Sequence, residues 1–163
     1  MKRTYVDAGV LIAAARGSGR MAERALGVIS DTTTREFVCS DYIKLEVLPK
    51  PTYFGRAAEL AFYQNFFDSV SVWLPFSVDD LGSALTEACA AGLGAVDAIH
   101  IVVAAKSGCA EVVTSEKPGG AIHRTTLVSV LSIDAQDAAG EEIVGPSSTT
   151  VQPPTQCPDD GPE

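Results

Sequence analysis

The chain has no run of about 18 consecutive apolar residues, so no membrane span is expected. Lys2 and Arg3 lead straight into a short strand with no apolar stretch of the secretory kind, so a cytoplasmic location is expected. Cys39, Cys89, Cys109 and Cys157 show no CxxC spacing and no accompanying pair of histidines, which argues against a zinc site or a redox pair. Three of them stand in apolar surroundings, and the cysteines are read as reduced, buried, structural thiols. Neither GxGxxG nor GxxxxGK[ST] follows any strand, which places a nucleotide-binding domain low among the candidates. There is no internal repeat.

Basic residues are missing from one region. From Asp134 onward the sequence has seven acids and no Lys or Arg, whereas Met1 to Ile133 carries 14 acids against 12 basic residues. The formal charge of −9 therefore belongs mainly to the end of the chain, and says little about what the rest binds. Residues 1–133 are expected to form one domain. Residues 134–163, rich in Pro, Ser, Thr and acids and poor in apolar residues, are expected to be a disordered tail.

Within residues 1–133, short apolar strands alternate with helical patterns. Strands are expected at Thr4–Val6, Phe37–Ser40, Val70–Leu74, Glu111–Thr114 and Leu127–Ser129. Helices are expected over Val10–Ala15, Arg20–Ser30, Tyr42–Leu48, Thr52–Phe67, Asp79–Ala91 and Gly94–Ser107, with Pro49 and Pro51 stopping the third. Ala58, Phe62 and Phe66 are expected on the buried side of the fourth. This alternation predicts an α/β fold with a central, mostly parallel five-stranded sheet covered by helices on both faces.

Four acids stand out. Asp7 ends the first strand. Glu46 lies in the helix after the second. Glu116 follows the fourth directly. In a parallel sheet those strand ends share one edge, where ligands bind. Asp97 sits in the first turn of a helix apolar nearly all round, where an ionised carboxylate is costly unless paired, solvated or bound to a metal. Each also has a plainer role: Asp7 as a helix cap, Asp97 as a partner for the helix dipole, Glu46 as a solvent-facing residue, Glu116 as a turn residue beside Lys117. Spacing alone leaves both readings open.

The ordered motifs Asp7-Ala-Gly-Val-Leu-Ile12, Leu45-Glu-Val-Leu-Pro-Lys-Pro51, Asp97-Ala-Ile-His100 and Val113-Thr-Ser-Glu116 resemble those of PIN-domain nucleases. They are most similar to the VapC-type toxins of bacterial toxin–antitoxin pairs. The resemblance spans about Met1 to Ile133. It implies an α/β/α sandwich and an acidic pocket for Mg²⁺ or Mn²⁺. It also implies hydrolysis of RNA phosphodiesters, a homodimer, and a cognate antitoxin that blocks the pocket. Two positions depart from the family pattern: Gly9 stands where Ser, Thr or Asn is frequent, and Glu116 where Asp is commoner. A catalytically weak RNA- or protein-binding module is the alternative those departures raise.

On this reading Asp7 and Asp97 are the main metal ligands, and oxygen-only donors favour Mg²⁺ or Mn²⁺ over Zn²⁺. Glu46 orients or deprotonates water, Glu116 is an outer or second-metal ligand, and Thr114 and Ser115 support them by hydrogen bonding. Arg16, Arg20 and Arg24, spaced i, i+4 and i+8, are the candidate RNA-phosphate contacts if one helix carries all three. Lys44, Lys50 and Lys117 are further cations near the pocket. His100 reads as a satisfied core histidine, and Trp73 with the Phe62–Phe67 aromatics as core or dimer surface.

Overall fold

A computed structural model of the chain describes residues 1–75 and 77–134. The expected tail beyond Asp134 lies outside the described residues. Five strands form one sheet in the order β3-β2-β1-β4-β5: β1 (Lys2–Val6), β2 (Arg35–Ser40), β3 (Val72–Leu74), β4 (Glu111–Thr114) and β5 (Ser129–Ser132). Every pairing is parallel, with Tyr5 in register with Val38 on one side and Val112 on the other. Parallel strands are buried on both faces, which suits Val6, Phe37, Val38, Val112 and Val113, all essentially inaccessible.

Among the described residues seven α-helices lie between them, α1 (Ala8–Arg16), α2 (Gly19–Ile29), α3 (Asp41–Val47), α4 (Pro49–Tyr53), α5 (Ala57–Asp68), α6 (Val78–Ala91) and α7 (Ala95–Lys106), and a short 3-10 turn, Ala121–Arg124, precedes β5. The chain steps from β1 to β2 to β3 in one direction, then crosses to β4 and β5 on the other side of β1. Right-handed crossovers therefore put α1 to α5 on one face and α6 with α7 on the other. The packing agrees: α1 meets α2, α3 and α5, while α6 lies on α7, and α7 on β2 and β4. This is the expected α/β/α sandwich. Its sheet order reverses at β1, so the C-terminal ends of β1 and β4 flank the point where such folds bind ligands.

Several local expectations are corrected. The helix expected over Thr52–Phe67 is two helices, because the chain turns at Gly55 with φ of +62°, a conformation open to glycine at little cost. Pro49 does not only end α3; it also opens α4 as its first residue. On α5 the buried residues are Tyr63, Phe66 and Phe67, whereas Ala58 is exposed and Phe62 half-buried. The fifth strand lies later than expected, at Ser129–Ser132. Cys39 is buried and Cys109 half-buried, but Cys89 is exposed on α6, so the buried-thiol reading fails there. Cys157 lies outside the described residues.

No single helix among the described residues is long and apolar enough to cross a membrane. At the N-terminal edge of the sheet, opposite the acids singled out above, Glu111 is 4% exposed and held by three partners. Thr4 Oγ1 donates to it at 3.0 Å, Lys2 Nζ lies at 2.5 Å, and Arg35 Nη1 completes the ion pair.

Candidate metal centre

Asp7 is the first residue past β1 and the N-cap of α1, yet its side chain does not cap that helix. The carboxylate turns across the switch point instead, and Thr114 Oγ1 at the end of β4 donates to Asp7 Oδ2 at 2.9 Å. The Glu116 backbone N–H in turn donates to Thr114 Oγ1 at 3.2 Å. Ser132 at the end of β5 donates from Oγ to the Glu116 carbonyl. The ends of three adjacent strands are thus tied together by hydroxyls around Asp7 and Glu116.

Glu46 reaches the same place from α3, whose start is set by Ser40 at the end of β2. Asp97 arrives from the first turn of α7. The four acids identified in the sequence therefore come to one sheet edge, although not equally closely. Among the described residues, the group whose donor atoms all lie within 4.8 Å of one another is Asp7, Glu46 and His100. Asp97 and Glu116 fall outside that group, and Asp97 feels the charges of Glu116, Asp7 and Glu46.

Burial and charge both shift the acids of the site. Burial pushes the Asp7 carboxyl above its ordinary range, with His100 and the Thr114 hydroxyl offsetting part of the effect and Glu46 adding to it. Asp97 is also raised, first by burial and then by repulsion from Glu116 and Asp7. Carboxylates held this way gain by binding a cation. The two carboxylates of the trio offer hard oxygen donors of the kind a divalent cation takes.

Gly9 has a specific part in the geometry. A Cβ on residue 9 would overlap Ser115 Oγ and would lie 3.4 Å from Asp7 Oδ2. The missing side chain makes room for the Ser115 hydroxyl beside Asp7. Gly9→Ala is expected to force Ser115 out of its rotamer at a cost of about 1 kcal/mol. The Ser115→Ala background should remove most of that cost. Chemical denaturation of the two single variants and the double variant measures this coupling.

The arginine stripe expected from the sequence does not form. α1 ends at Arg16, and Gly17 and Ser18 separate it from α2, which carries Arg20 and Arg24. Arg16 Nε instead bonds Glu59 Oε1 of α5 at 2.5 Å, and Arg24 Nη1 donates to the Ile133 carbonyl at 3.2 Å. Lys44 is likewise engaged, with Asp41 at 3.0 Å and over the Trp73 ring at 3.8 Å.

His100 is the satisfied core histidine expected from the sequence, and it also reaches the acids. It is fully buried, but its ring spans from the core to the acids. Nδ1 lies 2.8 Å from Tyr5 Oη, and Nε2 lies 2.7 Å from Glu46 Oε2 and 4.0 Å from Asp7 Oδ1. The signal available was its spacing from Asp97: three residues apart on a helix, the two share a face.

A family model described as "PIN domain" matches residues 4–117. No curated protein matches the sequence. Solved structures that share the fold include two VapBC complexes. VapBC2 from Rickettsia felis bound to a DNA fragment from its promoter is 13% identical with a TM-score of 0.61, over 80% of this chain and 98% of that one. DNA-bound VapBC from Salmonella typhimurium is 18% identical with a TM-score of 0.60, over 82% of this chain and 99% of that one.

Proposed function

The chain belongs to the PIN-domain family of nucleases, and from that membership we propose that it is a Mg²⁺- or Mn²⁺-dependent endoribonuclease, the toxin of a toxin–antitoxin pair. The observation that carries the proposal is the meeting of Asp7, Glu46, Asp97 and Glu116 at the switch point, with burial and mutual repulsion holding Asp7 and Asp97 above the ordinary carboxylate range. Asp7 and Asp97 would hold the cation, with Glu46 contributing beside Asp7, and Glu116 would serve as an outer or second-metal ligand. A bound Mg²⁺ or Mn²⁺ supplies Lewis acidity to water and to the phosphate oxygens.

The remaining work falls to the protein. Glu46, the most solvent-accessible member of the trio with its side chain 33% exposed, accepts the proton of the attacking water. Thr114 fixes the rotamer of Asp7, and Ser115 places a hydroxyl next to it where residue 9 offers none. That hydroxyl weakens the case for a catalytically impaired module. Arg20 and Arg24, four residues apart on α2, are the proposed phosphate contacts, and Arg24 would exchange its bond to the Ile133 carbonyl for one to phosphate. Arg16 would first have to leave Glu59.

The two similar structures are both VapBC assemblies, which supports a protein antitoxin as partner. Leu45, Tyr53 and Phe54, 67%, 84% and 62% exposed on and just past α3 and α4, offer apolar surface close to Glu46 for such a partner to cover. We place the protein in the cytoplasm, as a homodimer. Expression of the chain in a bacterial host is expected to arrest growth, and Asp97→Asn is expected to relieve the arrest with the fold intact by circular dichroism. Unrelieved arrest with Asp97→Asn would remove the carboxylate site from the account.

A further inference from the structure

We propose that His100 is a positioning residue that donates its Nε2–H to Glu46, and that it is not itself a metal ligand. This rests on the proposed function above, with Glu46 contributing to the metal centre beside Asp7. By distance alone His100 belongs to the tightest group of donor atoms at the site, so proximity favours ligation. The 2.7 Å contact between Nε2 and Glu46 Oε2, taken with the bonds on the other side of the ring, argues otherwise.

Tyr5 Oη lies 2.7 Å from Ser40 Oγ and 2.8 Å from His100 Nδ1, and Tyr5 and His100 are both fully buried, with Ser40 1% exposed. Tyr5 has one proton to give. In one arrangement Ser40 donates to Tyr5 and Tyr5 donates to Nδ1, so the neutral imidazole carries its proton on Nε2. In the other, Nδ1–H of an imidazolium donates to Tyr5 and Tyr5 donates to Ser40, and Nε2 is again protonated. The remaining state, a neutral ring protonated on Nδ1, would point a bare Nε2 lone pair at a carboxylate oxygen 2.7 Å away, which an ionised carboxylate rejects. Both acceptable states leave Nε2 as a donor to Glu46.

A metal takes a bare nitrogen lone pair. Here Nε2 carries a proton and Nδ1 is enclosed in the core against Tyr5. The chain Ser40–Tyr5–His100 therefore acts as a buried strut from β2 and β1, through α7, that aims one carboxylate of α3 at the site. Ser40 is thereby kept from capping α3, which has no side-chain cap. The donor set toward the cation stays all-oxygen, which is what a hard ion requires.

The sequence has two histidines, so ¹⁵N-histidine NMR of the full chain, with His123→Gln to assign the signals, reads the tautomer directly. The expected result is a protonated Nε2 on His100 both without metal and saturated with Mg²⁺. A bare Nε2 in either state would overturn the proposal. Mn²⁺ titration gives the second readout. His100→Leu is expected to weaken Mn²⁺ binding about 10- to 100-fold. With Glu46→Gln already in place, adding His100→Leu should change affinity by less than about twofold, because its effect passes through Glu46. An equal further loss in that background would make His100 a ligand. If wild-type protein binds no Mn²⁺, the metal-centre reading fails, and the metal-free tautomer still decides the role of His100.

Discussion

Asp7→Asn is expected to lower RNA cleavage by about 100-fold or more, since it removes one of the two carboxylates proposed to hold the cation. The same variant is expected to make the metal-free protein more stable at neutral pH. Burial raises the Asp7 carboxyl above its ordinary value, so the folded state keeps this proton at a pH where the unfolded chain has released it. Stability is therefore lost as pH rises from the ordinary carboxylate value of about 3.9 through the raised folded value, and the full cost is present above both. Asparagine carries no charge and still accepts the hydrogen bond from Thr114 through its side-chain oxygen. Thermal melts with and without Mn²⁺ separate the effects. Wild type should gain stability with Mn²⁺ and Asp7→Asn should gain little. A metal-free Asp7→Asn protein that melts below wild type would show that this carboxylate serves the fold rather than the site.

Glu111→Ala is expected to have the largest effect on folding, about 3 kcal/mol, or a fall in Tm of about 10 °C. Alanine leaves Lys2 and Arg35 without their shared counter-charge at the N-terminal edge of the sheet. Burial alone would raise the Glu111 carboxyl, but the Lys2 and Thr4 hydrogen bonds and the Arg35 charge outweigh it and hold it below its ordinary range. Its contribution is then present above the unfolded value of about 4.3 and is lost as pH falls through the lower folded value. Urea denaturation at pH 7 and at pH 3 measures this: the gap between wild type and Glu111→Ala should narrow in acid. RNA cleavage by the folded fraction should be unchanged, because Glu111 sits at the edge of the sheet away from Asp7.

The elements that were legible in the sequence are those whose signal is local. β1 ending in Asp7, the apolar run of α7 around Asp97, and the step from β4 into Glu116 can each be read from a few consecutive residues. The α/β/α architecture follows from their alternation. What escaped is what depends on distant contacts. The i, i+4, i+8 spacing of Arg16, Arg20 and Arg24 looked like one helix face, but Gly17 and Ser18 break the helix and Glu59 on α5 captures Arg16. The pattern over Thr52–Phe67 was helical enough to hide the turn at Gly55. Gly9 looked like a missing hydroxyl, and only the fold brings Ser115, 106 positions later, next to it. His100 looked like core, which its burial supports, but the core partner Tyr5 and the site partner Glu46 are far from it in sequence.

The central claim is that these carboxylates bind a divalent cation in order to cleave RNA. Purified full-length protein incubated with single-stranded and structured RNA tests it most directly, with Mn²⁺ or Mg²⁺, with EDTA, and with metal restored after EDTA. The account predicts cleavage with either metal, none in EDTA, and recovery on restoring the metal. Intact RNA in the presence of demonstrated metal binding, or cleavage that persists in EDTA, would contradict it.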